Sequence, residues 1–330
     1  VNHVWRFRRK FDLAHIPEQL SLRLTADSFY VLFLNGKELG TGPVRGTKTL
    51  SYFDEYAISS ILKTGENILE VLLSSPIKRN FICDSYAPAL YLVMEDLLCS
   101  DEKWLMQQAP DFKQNVPDYT FQMGFMEHRD FRQIEKIDQL PWQKVQLIEI
   151  PEILNKKIVK RDIEELKREC FYPNSIISAA RVPAGDASNI YALPKYLNNE
   201  SRVELQSSEQ MKLLEVDKSA EFDLNEGGIS LIVDFDQIIS GKYHFEAKGQ
   251  AGTIIDVVCA EMLWNDRLCA WHEGSANYHF TDRFILKEGW NQITTMFNER
   301  GFNLLQIVLR GSGKVYIKNI CLKTPLLHTD

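Results

Sequence analysis

Residues 30–40, YVLFLNGKELG, contain the clearest local signal for structure in the first part of the chain. An apolar run rich in β-forming residues ends at Leu34, and the dipeptide Asn35-Gly36 follows it directly. Both central residues of a type I′ turn need positive φ, which Asn and Gly tolerate best. The stretch therefore predicts a β-hairpin, whose return strand ends at the glycines and proline of residues 40–43.

Strand-like segments also lie on both sides of this hairpin in the sequence. Alternation of apolar and polar residues is typical of half-buried strands. It occurs in residues 4–11, 20–26 and 242–247. Further strands are predicted from runs rich in apolar or β-branched residues, at 68–73, 88–95, 228–235, 253–259, 283–286, 304–309 and 315–322. Helical periodicity is rare by comparison. The pattern predicts an all-β protein with two antiparallel β-sandwich domains, of jelly-roll or galactose-binding-like type, and a short helical connector.

The composition of the sequence changes near Pro151, before a basic stretch at 156–161, and this change guides the predicted domain borders. We expect an N-terminal sandwich over 1–155, a connector over 156–205 and a second sandwich over 206–330. Four apolar residues of the connector fall at i, i+4, i+7 and i+11, the spacing of one helical stripe. They are Val159, Ile163, Leu166 and Cys170.

Composition and charge exclude several classes of protein. The 330 residues carry a formal net charge of −7, so nucleic acid is not an expected partner. No apolar run reaches the roughly 18 residues of a transmembrane helix, so no membrane span is expected. The chain begins with Val1 instead of Met, which indicates processing, and a removed signal peptide would leave no trace.

Metal and cofactor motifs are missing from the sequence. The six cysteines show no CxxC or CxxH spacing, and the seven histidines form no HExxH or HxH motif. We find neither a GxSxG elbow nor a P-loop. We therefore predict no metal site and no cofactor. Buried free thiols are the simpler interpretation of the cysteines, and disulfides remain open.

Several motifs together resemble one family. Residues 30–43 follow the frame Y-x-L-x-x-N-G-x-x-x-G-x-G-P, and 52–56 and 62–67 are its usual sequels. Residues 127–132 with Trp142 match an E-x-x-D-x-R…W pattern. The second half adds matching segments at 233–235, 249–253, 260–263, 281–284 and 300–302. The chain resembles the N-terminal β-sandwich portion of a bacterial α-L-rhamnosidase of glycoside hydrolase family 78.

The resemblance implies a function for the whole protein. In that family catalysis takes place in an (α/α)₆ barrel that follows the sandwiches, and no such barrel is found in these residues. The resemblance thus implies a non-catalytic accessory region, without catalytic residues, that packs against and shapes the barrel of the same parent chain. The parent activity would be inverting hydrolysis of terminal α-L-rhamnosides, in the bacterial cytoplasm, the periplasm or outside the cell.

One loop has the composition of a sugar site. Sugars present an apolar C–H face and a rim of hydroxyls, so they favour an indole ring with polar side chains around it. We predict contacts to rhamnose-containing glycans, or to the barrel, from Glu261, Trp264, Asn265, Asp266, Trp271, His272 and Glu273. Packing of both indoles into the sandwich core is the competing interpretation.

Two other functions stay open on the sequence. One is a stand-alone carbohydrate-binding protein. The other is a complete small glycosidase, which would need two carboxylates about 5–5.5 or 6.5–9.5 Å apart across a sugar. Glu261 with Asp282, or Asp234 with Asp236, are the candidates for such a pair.

Overall fold

The chain folds into two compact units. The computed structural model describes residues 2–47, 49–76, 88–119, 124–148, 157–163, 166–185, 191–205, 208–264, 267–268 and 279–326. The first unit comprises Val1–Ala109 and Asp138–Glu165, and the second comprises Pro110–Ile137 and Leu166–Asp330. The chain therefore passes from one unit to the other three times.

The units differ from the predicted domains at their borders. The segment Pro110–Ile137, which we expected in the first sandwich, belongs to the second unit. One cause is a parallel ladder between residues 128–130 and 283–285, since a long-range pairing of this kind leaves no local pattern. The expected connector is divided, because its residues up to 165 belong to the first unit and those from 166 to the second.

Strands dominate both units, and the predicted all-β class is confirmed. In chain order the strands are β1 (His3–Leu13), β2 (Ser21–Asp27), β3 (Phe29–Leu34), β4 (Lys37–Gly42), β5 (Leu50–Ala57), β6 (Gly65–Ser75), β7 (Ala89–Met94), β8 (Leu98–Cys99), β9 (Leu105–Gln108), β10 (His128–Asp130), β11 (Gln143–Lys144), β12 (Lys157–Lys160), β13 (Lys167–Phe171), β14 (Ser175–Val182), β15 (Val203–Glu204), β16 (Ser219–Asp223), β17 (Gly228–Lys248), β18 (Ile254–Ala260), β19 (Leu263–Trp264), β20 (Arg267–Leu268), β21 (Thr281–Ile285), β22 (Trp290–Thr294), β23 (Arg300–Arg310) and β24 (Lys314–Leu326). The described helices are α1 (Leu193–Asn199) and the 3₁₀ helices Ser59–Ile61, Phe131–Gln139 and Glu209–Leu214.

The first unit is a sandwich of two sheets. One sheet has the strand order β11-β9-β1-β6-β3-β4, and the other has the order β12-β5-β2-β7-β8. Alternate residues of both sheets point inward and form one apolar core. Leu32 and Leu69 of the first sheet and Leu22 and Leu92 of the second are fully buried there. Each such side chain contributes about 1.5–3 kcal/mol to folding.

The predicted hairpin is present between β3 and β4. Asn35 and Gly36 have φ of 53° and 79°, as a type I′ turn requires. The Asn35 side chain also holds the neighbouring turn, since its Nδ2 donates to Asn67 Oδ1 at 2.9 Å and its Oδ1 accepts from Ile68 N at 3.0 Å. A Cβ on Gly42 would lie 2.2 Å from Asp54 Oδ2, so this glycine of the frame permits a close approach.

The second unit is a sandwich built around the long strand β17. Its first part, Gly228–Asp234, pairs with β14 and β23. Its last part, Lys242–Lys248, pairs with β22 and β24. The pairing with β23 shifts between Asp234 and Ile239, where Asp236 has a φ of 64°. One strand therefore belongs to both sheets, and the main core lies between them.

The prediction of a helix from the apolar stripe that begins at Val159 is wrong. Residues 157–160 form β12, which pairs in parallel with β5, and residues 167–171 form β13, which pairs with β24. Of the four stripe residues only Val159 and Cys170 lie in these strands, and pairing at sheet edges outweighs the local helical spacing here. A short helix does lie in the predicted connector, at α1 instead.

Among the described residues, no helix is long and apolar enough to cross a membrane.

Candidate functional site

The predicted sugar-binding loop begins where β18 ends. Glu261 and Met262 are exposed at this point, and Met262 is 60 % exposed. The next residues form a two-stranded hairpin of β19 and β20, in which Leu263 faces Leu268. The predicted residues Asn265, Asp266, Trp271, His272 and Glu273 lie outside the described residues. The role of this loop, including the Trp264 side chain, stays a prediction.

Leu268 anchors the hairpin to the sheet beneath it. The side chain is 1 % exposed and packs in a cluster that contains Val258 of β18 and Val308 of β23. Because alternate strand residues point to opposite faces, this cluster lies on the other face of the sheet from the main core. Leu193 and Leu197 of α1 complete the cluster. The hairpin and α1 therefore cover this outer face of the sheet.

A buried network of charges lies on the same outer face. Asp256 accepts hydrogen bonds from Arg283 Nε at 2.7 Å and Nη2 at 2.9 Å. It also accepts one from Arg310 Nη1 at 3.1 Å. Arg310 pairs in turn with Glu200, which directly follows α1. Two guanidinium groups thus face two carboxylates, and this balance makes their burial tolerable.

A second buried network surrounds Asp282 on the inner side of β21. Its carboxylate accepts from Arg300 Nη2 at 2.9 Å, from Tyr243 Oη at 2.8 Å and from the backbone N–H of Glu127 at 2.7 Å. The Arg300 guanidinium lies over the Tyr119 ring, 3.7 Å from its centroid. Asp282 is fully buried and its lone pairs are occupied, so the carboxylate is not placed to exchange protons with a sugar.

Glu127 joins the segment Pro110–Ile137 to this network. Its carboxylate accepts from the backbone N–H of Met296 at 2.9 Å and of Phe297 at 2.9 Å. Burial raises the pKa of Glu127, and the neighbouring Asp282 adds to this increase. Two residues further on, Arg129 donates to Asp111 at 2.8 Å. Glu127 and Arg129 therefore hold the segment by buried polar contacts.

Asp234 and Asp236, the other carboxylates proposed for a catalytic pair, make hydrogen bonds within the fold. Asp234 Oδ1 accepts from the backbone N–H of Asp236 at 2.8 Å, which closes the bend in β17. Asp236 Oδ2 accepts from Asn174 Nδ2 at 2.7 Å. Glu261 is exposed at a strand end, whereas Asp282 is fully buried. The described contacts of these residues support no acid–base pair.

The first unit also contains a buried carboxylate, Asp54. It accepts a hydrogen bond from Tyr30 Oη and pairs with Arg161 Nε at 3.0 Å. Tyr30 and Tyr56 share a further bond between their hydroxyls at 2.9 Å. Burial raises the pKa of Asp54 and also that of Tyr30. The frame residue Tyr30 thus ties its strand to the facing sheet.

The sequence analysis did not predict these networks, although the sequence contains a signal for them. Asp256, Asp282 and Arg283 interrupt otherwise apolar strand patterns. Charged residues in such positions are seldom fully buried unless they are paired. The partners Arg300 and Arg310 begin and end a single strand, β23. The sequence alone does not show that these arginines pair with Asp282 and Asp256, because the paired residues are distant in sequence.

Comparisons with known proteins agree with the fold. The family described as the bacterial alpha-L-rhamnosidase concanavalin-like domain matches residues 225–321. No curated protein matches the chain significantly.

Among solved structures, a family 78 rhamnosidase of Bacillus sp. GL1 is similar with a TM-score of 0.82 and 19 % identity, over 98 % of this chain and 53 % of that chain. An α-L-rhamnosidase from Dictyoglumus thermophilum gives a TM-score of 0.63 and 16 % identity, over 94 % of this chain and 32 % of that one.

An α-L-rhamnosidase of Streptomyces avermitilis, solved in complex with L-rhamnose, gives a TM-score of 0.56 and 16 % identity, over 95 % of this chain and 28 % of that chain. The chain thus spans about half the length of the Bacillus enzyme and about a third of the other two. Residues 225–321 thus match the concanavalin-like domain family of bacterial α-L-rhamnosidases, and the chain as a whole has the same fold as the matching part of the Bacillus family 78 rhamnosidase.

Proposed function

We propose that the chain is the non-catalytic β-sandwich region of an α-L-rhamnosidase-like glycoside hydrolase. In the parent protein it would pack against a catalytic (α/α)₆ barrel and shape that barrel. The observation that carries the proposal is the domain-family match of residues 225–321 within a fold that covers 98 % of the chain and 53 % of the Bacillus enzyme.

The buried carboxylates support a structural role for these sandwiches. Asp256 and Asp282 are each bound by arginine, and Glu127 by backbone amides. A glycosidase needs one carboxyl group that protonates the leaving group and a second that attacks or activates water. Carboxylates with fixed donors in a dry interior serve neither task. They link strands of the second unit to one another, to Glu200 and to the segment Pro110–Ile137 instead.

Two experiments test the partner and the activity. We expect the gene to encode a helical catalytic domain in the same reading frame as residues 1–330, and a reading frame without such a domain would contradict the proposal. We also expect no turnover of p-nitrophenyl α-L-rhamnoside by the purified chain alone. Turnover that is lost in Glu261→Gln would overturn the proposal in favour of a complete small glycosidase.

The loop of Glu261, Trp264, Asn265, Asp266, Trp271, His272 and Glu273 is the proposed contact surface of this region. Its indoles would cover either the barrel or a rhamnose-containing glycan. Isothermal titration with L-rhamnose separates the two, with Trp290→Ala as the control because Trp290 is an exposed indole elsewhere in the second unit, 42 % exposed.

Absence of heat in the wild-type chain agrees with a barrel contact. Heat that is lost in Trp264→Ala or Trp271→Ala, but kept in Trp290→Ala, would instead assign a stand-alone carbohydrate-binding function. An unchanged heat in all three variants would remove the loop from consideration as a sugar site.

A further inference from the structure

Two cysteines from distant parts of the second unit meet on neighbouring strands. Cys170 lies in β13 and Cys321 in β24, and their sulfur atoms are 3.0 Å apart although 151 residues separate them. In the antiparallel ladder Cys170 faces Lys323, one step from the pair Phe171 and Leu322. Cys170 and Cys321 are thus diagonal neighbours, on the opposite side of the sheet from core residue Leu322.

The strand that carries Cys170 is weakly held. Lys167, Arg168, Glu169 and Cys170 are all exposed, and only Phe171 is partly buried. Among the described residues β13 pairs with β24 alone, so it is an edge strand. Hydrogen bonds to one neighbour and little apolar burial give such a strand a low local stability. A covalent bond to β24 would therefore change its behaviour measurably.

The two thiols differ in their access to solvent. Cys170 is exposed, whereas Cys321 is buried. Burial raises the pKa of Cys321 to about 12, and the hydrogen bond with Cys170 adds to this increase. A dissolved oxidant therefore reaches Cys170 first, and Cys321 follows as the resolving thiol.

We propose that Cys170 and Cys321 form a dithiol that a low-molecular-weight disulfide such as oxidised glutathione converts into an intramolecular disulfide, which fastens β13 to β24.

In the first step the Cys170 thiolate attacks one glutathione sulfur, the glutathione S–S bond breaks, and one glutathione thiolate leaves and takes up the proton that Cys170 released. In the second step the Cys321 sulfur gives its proton to solvent base and attacks Cys170. The mixed disulfide breaks, and the second glutathione leaves and is protonated. Two electrons pass from the protein thiols to the glutathione disulfide, which becomes two glutathione thiols.

Peptide mapping tests the bond directly. The folded chain is incubated with oxidised glutathione, its remaining thiols are blocked with N-ethylmaleimide, and it is digested with trypsin without reductant. The expected product links peptide 169–181 to peptide 319–323. Cys99→Ser is the matched control, because Cys99 is an exposed cysteine of the first unit, and this variant should keep the link. Recovery of both peptides with blocked, unlinked thiols would overturn the proposal.

Thermal unfolding tests the consequence for β13. Oxidation should raise the unfolding midpoint of the second unit by roughly 5–10 °C, because the cross-link closes a loop of more than about 100 residues. The rise should disappear in Cys170→Ser, which alters an exposed residue and keeps the buried Cys321. A midpoint that does not respond to oxidation in the linked wild-type chain would refute the fastening of β13.

Discussion

Asn67 and Asn291 occupy equivalent positions in two copies of the same turn, one in each unit. Asn67 Oδ1 accepts from the backbone N–H of Lys63 at 3.0 Å, and Asn291 Oδ1 accepts from that of Lys287 at 3.1 Å. Each Nδ2 donates back to the lysine carbonyl, at 2.7 Å and 2.9 Å. Each also donates to the carbonyl of the glycine two residues earlier.

The two turns share the sequence K-x-G-x-N, at residues 63–67 and 287–291. Their glycines, Gly65 and Gly289, have φ of 83° and 82°. An asparagine amide offers a donor and an acceptor on a short stem, so it can satisfy the backbone of a tight turn that leads into a strand. The same local solution has therefore been used in both sandwiches.

Substitution of the turn asparagines should destabilise each unit. We expect Asn67→Ala to cost about 2–4 kcal/mol, because Asn67 is fully buried and its loss leaves several backbone groups unpaired. Asn291→Ala should cost about 1–3 kcal/mol for the same reason. Urea unfolding followed by circular dichroism measures both. Thr64→Ala, an exposed change in the same turn, is the control, and an equal loss of stability in it would contradict the assignment.

Substitution of the turn glycines by alanine should lower the stability of each unit for a conformational reason alone. A Cβ built on Gly65 or Gly289 has nothing within 4 Å, so no clash contributes. An L-residue in the left-handed region costs about 1–2 kcal/mol, which we expect for Gly65→Ala and Gly289→Ala. Gly65→Asn should lose less, because asparagine tolerates positive φ better. The same urea experiment applies, and equal losses for alanine and asparagine would argue against backbone strain.

Removal of one charge from the Asp282 network should strongly lower the stability of the second unit. Arg300→Met leaves a buried carboxylate without its guanidinium, which costs about 3–5 kcal/mol. The double variant Asp282→Asn with Arg300→Met should recover part of this loss, because no unpaired charge remains. The readout is the free energy of unfolding of the second unit.

The matched control for this pair is Arg168→Met. Arg168 is exposed and pairs with Glu299 at the surface, so its loss should cost less than about 1 kcal/mol. If Arg300→Met is no more harmful than Arg168→Met, the buried network does not stabilise the unit.

The stability of the second unit should depend on pH through His244. Burial lowers the pKa of His244 to about 4, Lys323 lowers it further, and Glu246 opposes the shift. Between pH 6.5 and about 4 the unfolded chain therefore binds a proton that the folded chain does not. The stability associated with the neutral imidazole is present above pH 6.5 and is lost as the pH falls through this window.

The loss should be about 2 kcal/mol when partial solvent screening is considered. Urea unfolding at a series of pH values measures it as the difference between wild type and His244→Gln, since carboxylates titrate near the lower end of the window. His15→Gln, which removes an exposed histidine, should leave the wild-type profile unchanged. Parallel profiles for the wild type and His244→Gln would exclude this role.

Local patterns were sufficient to predict much of the fold. The turn at Asn35 and Gly36 requires positive φ wherever it occurs, so it could be read without tertiary context. Clean alternation also identified the strand now seen as β2, and a run rich in β-branched residues identified β18. The two predicted strands at 228–235 and 242–247 are in fact one, β17, because the bend at Asp236 interrupts the pattern without ending the strand.

Long-range pairing explains what the sequence could not provide. The stripe from Val159 to Cys170 satisfies helical spacing, yet β12 and β13 find partners at sheet edges far away in the chain. The buried charges are a similar case, since Asp256 alone in a strand gives no indication that Arg310 will reach it. For the candidate loop, the composition suggested sugar binding. The structure shows in addition that the β19–β20 hairpin is anchored to the sheet by the buried side chain of Leu268.

The passage of β17 through both layers of the second unit has a consequence for synthesis of the protein. Its partner β24 also closes β13 and β16, and it comes last among the described strands. On the ribosome, the layer that contains β13, β16 and the last part of β17 cannot complete its ladder until β24 has emerged, so these earlier strands have unpaired edges until then. We therefore expect this unit to form late, slowly and all at once, and to need protection from aggregation while it is being made.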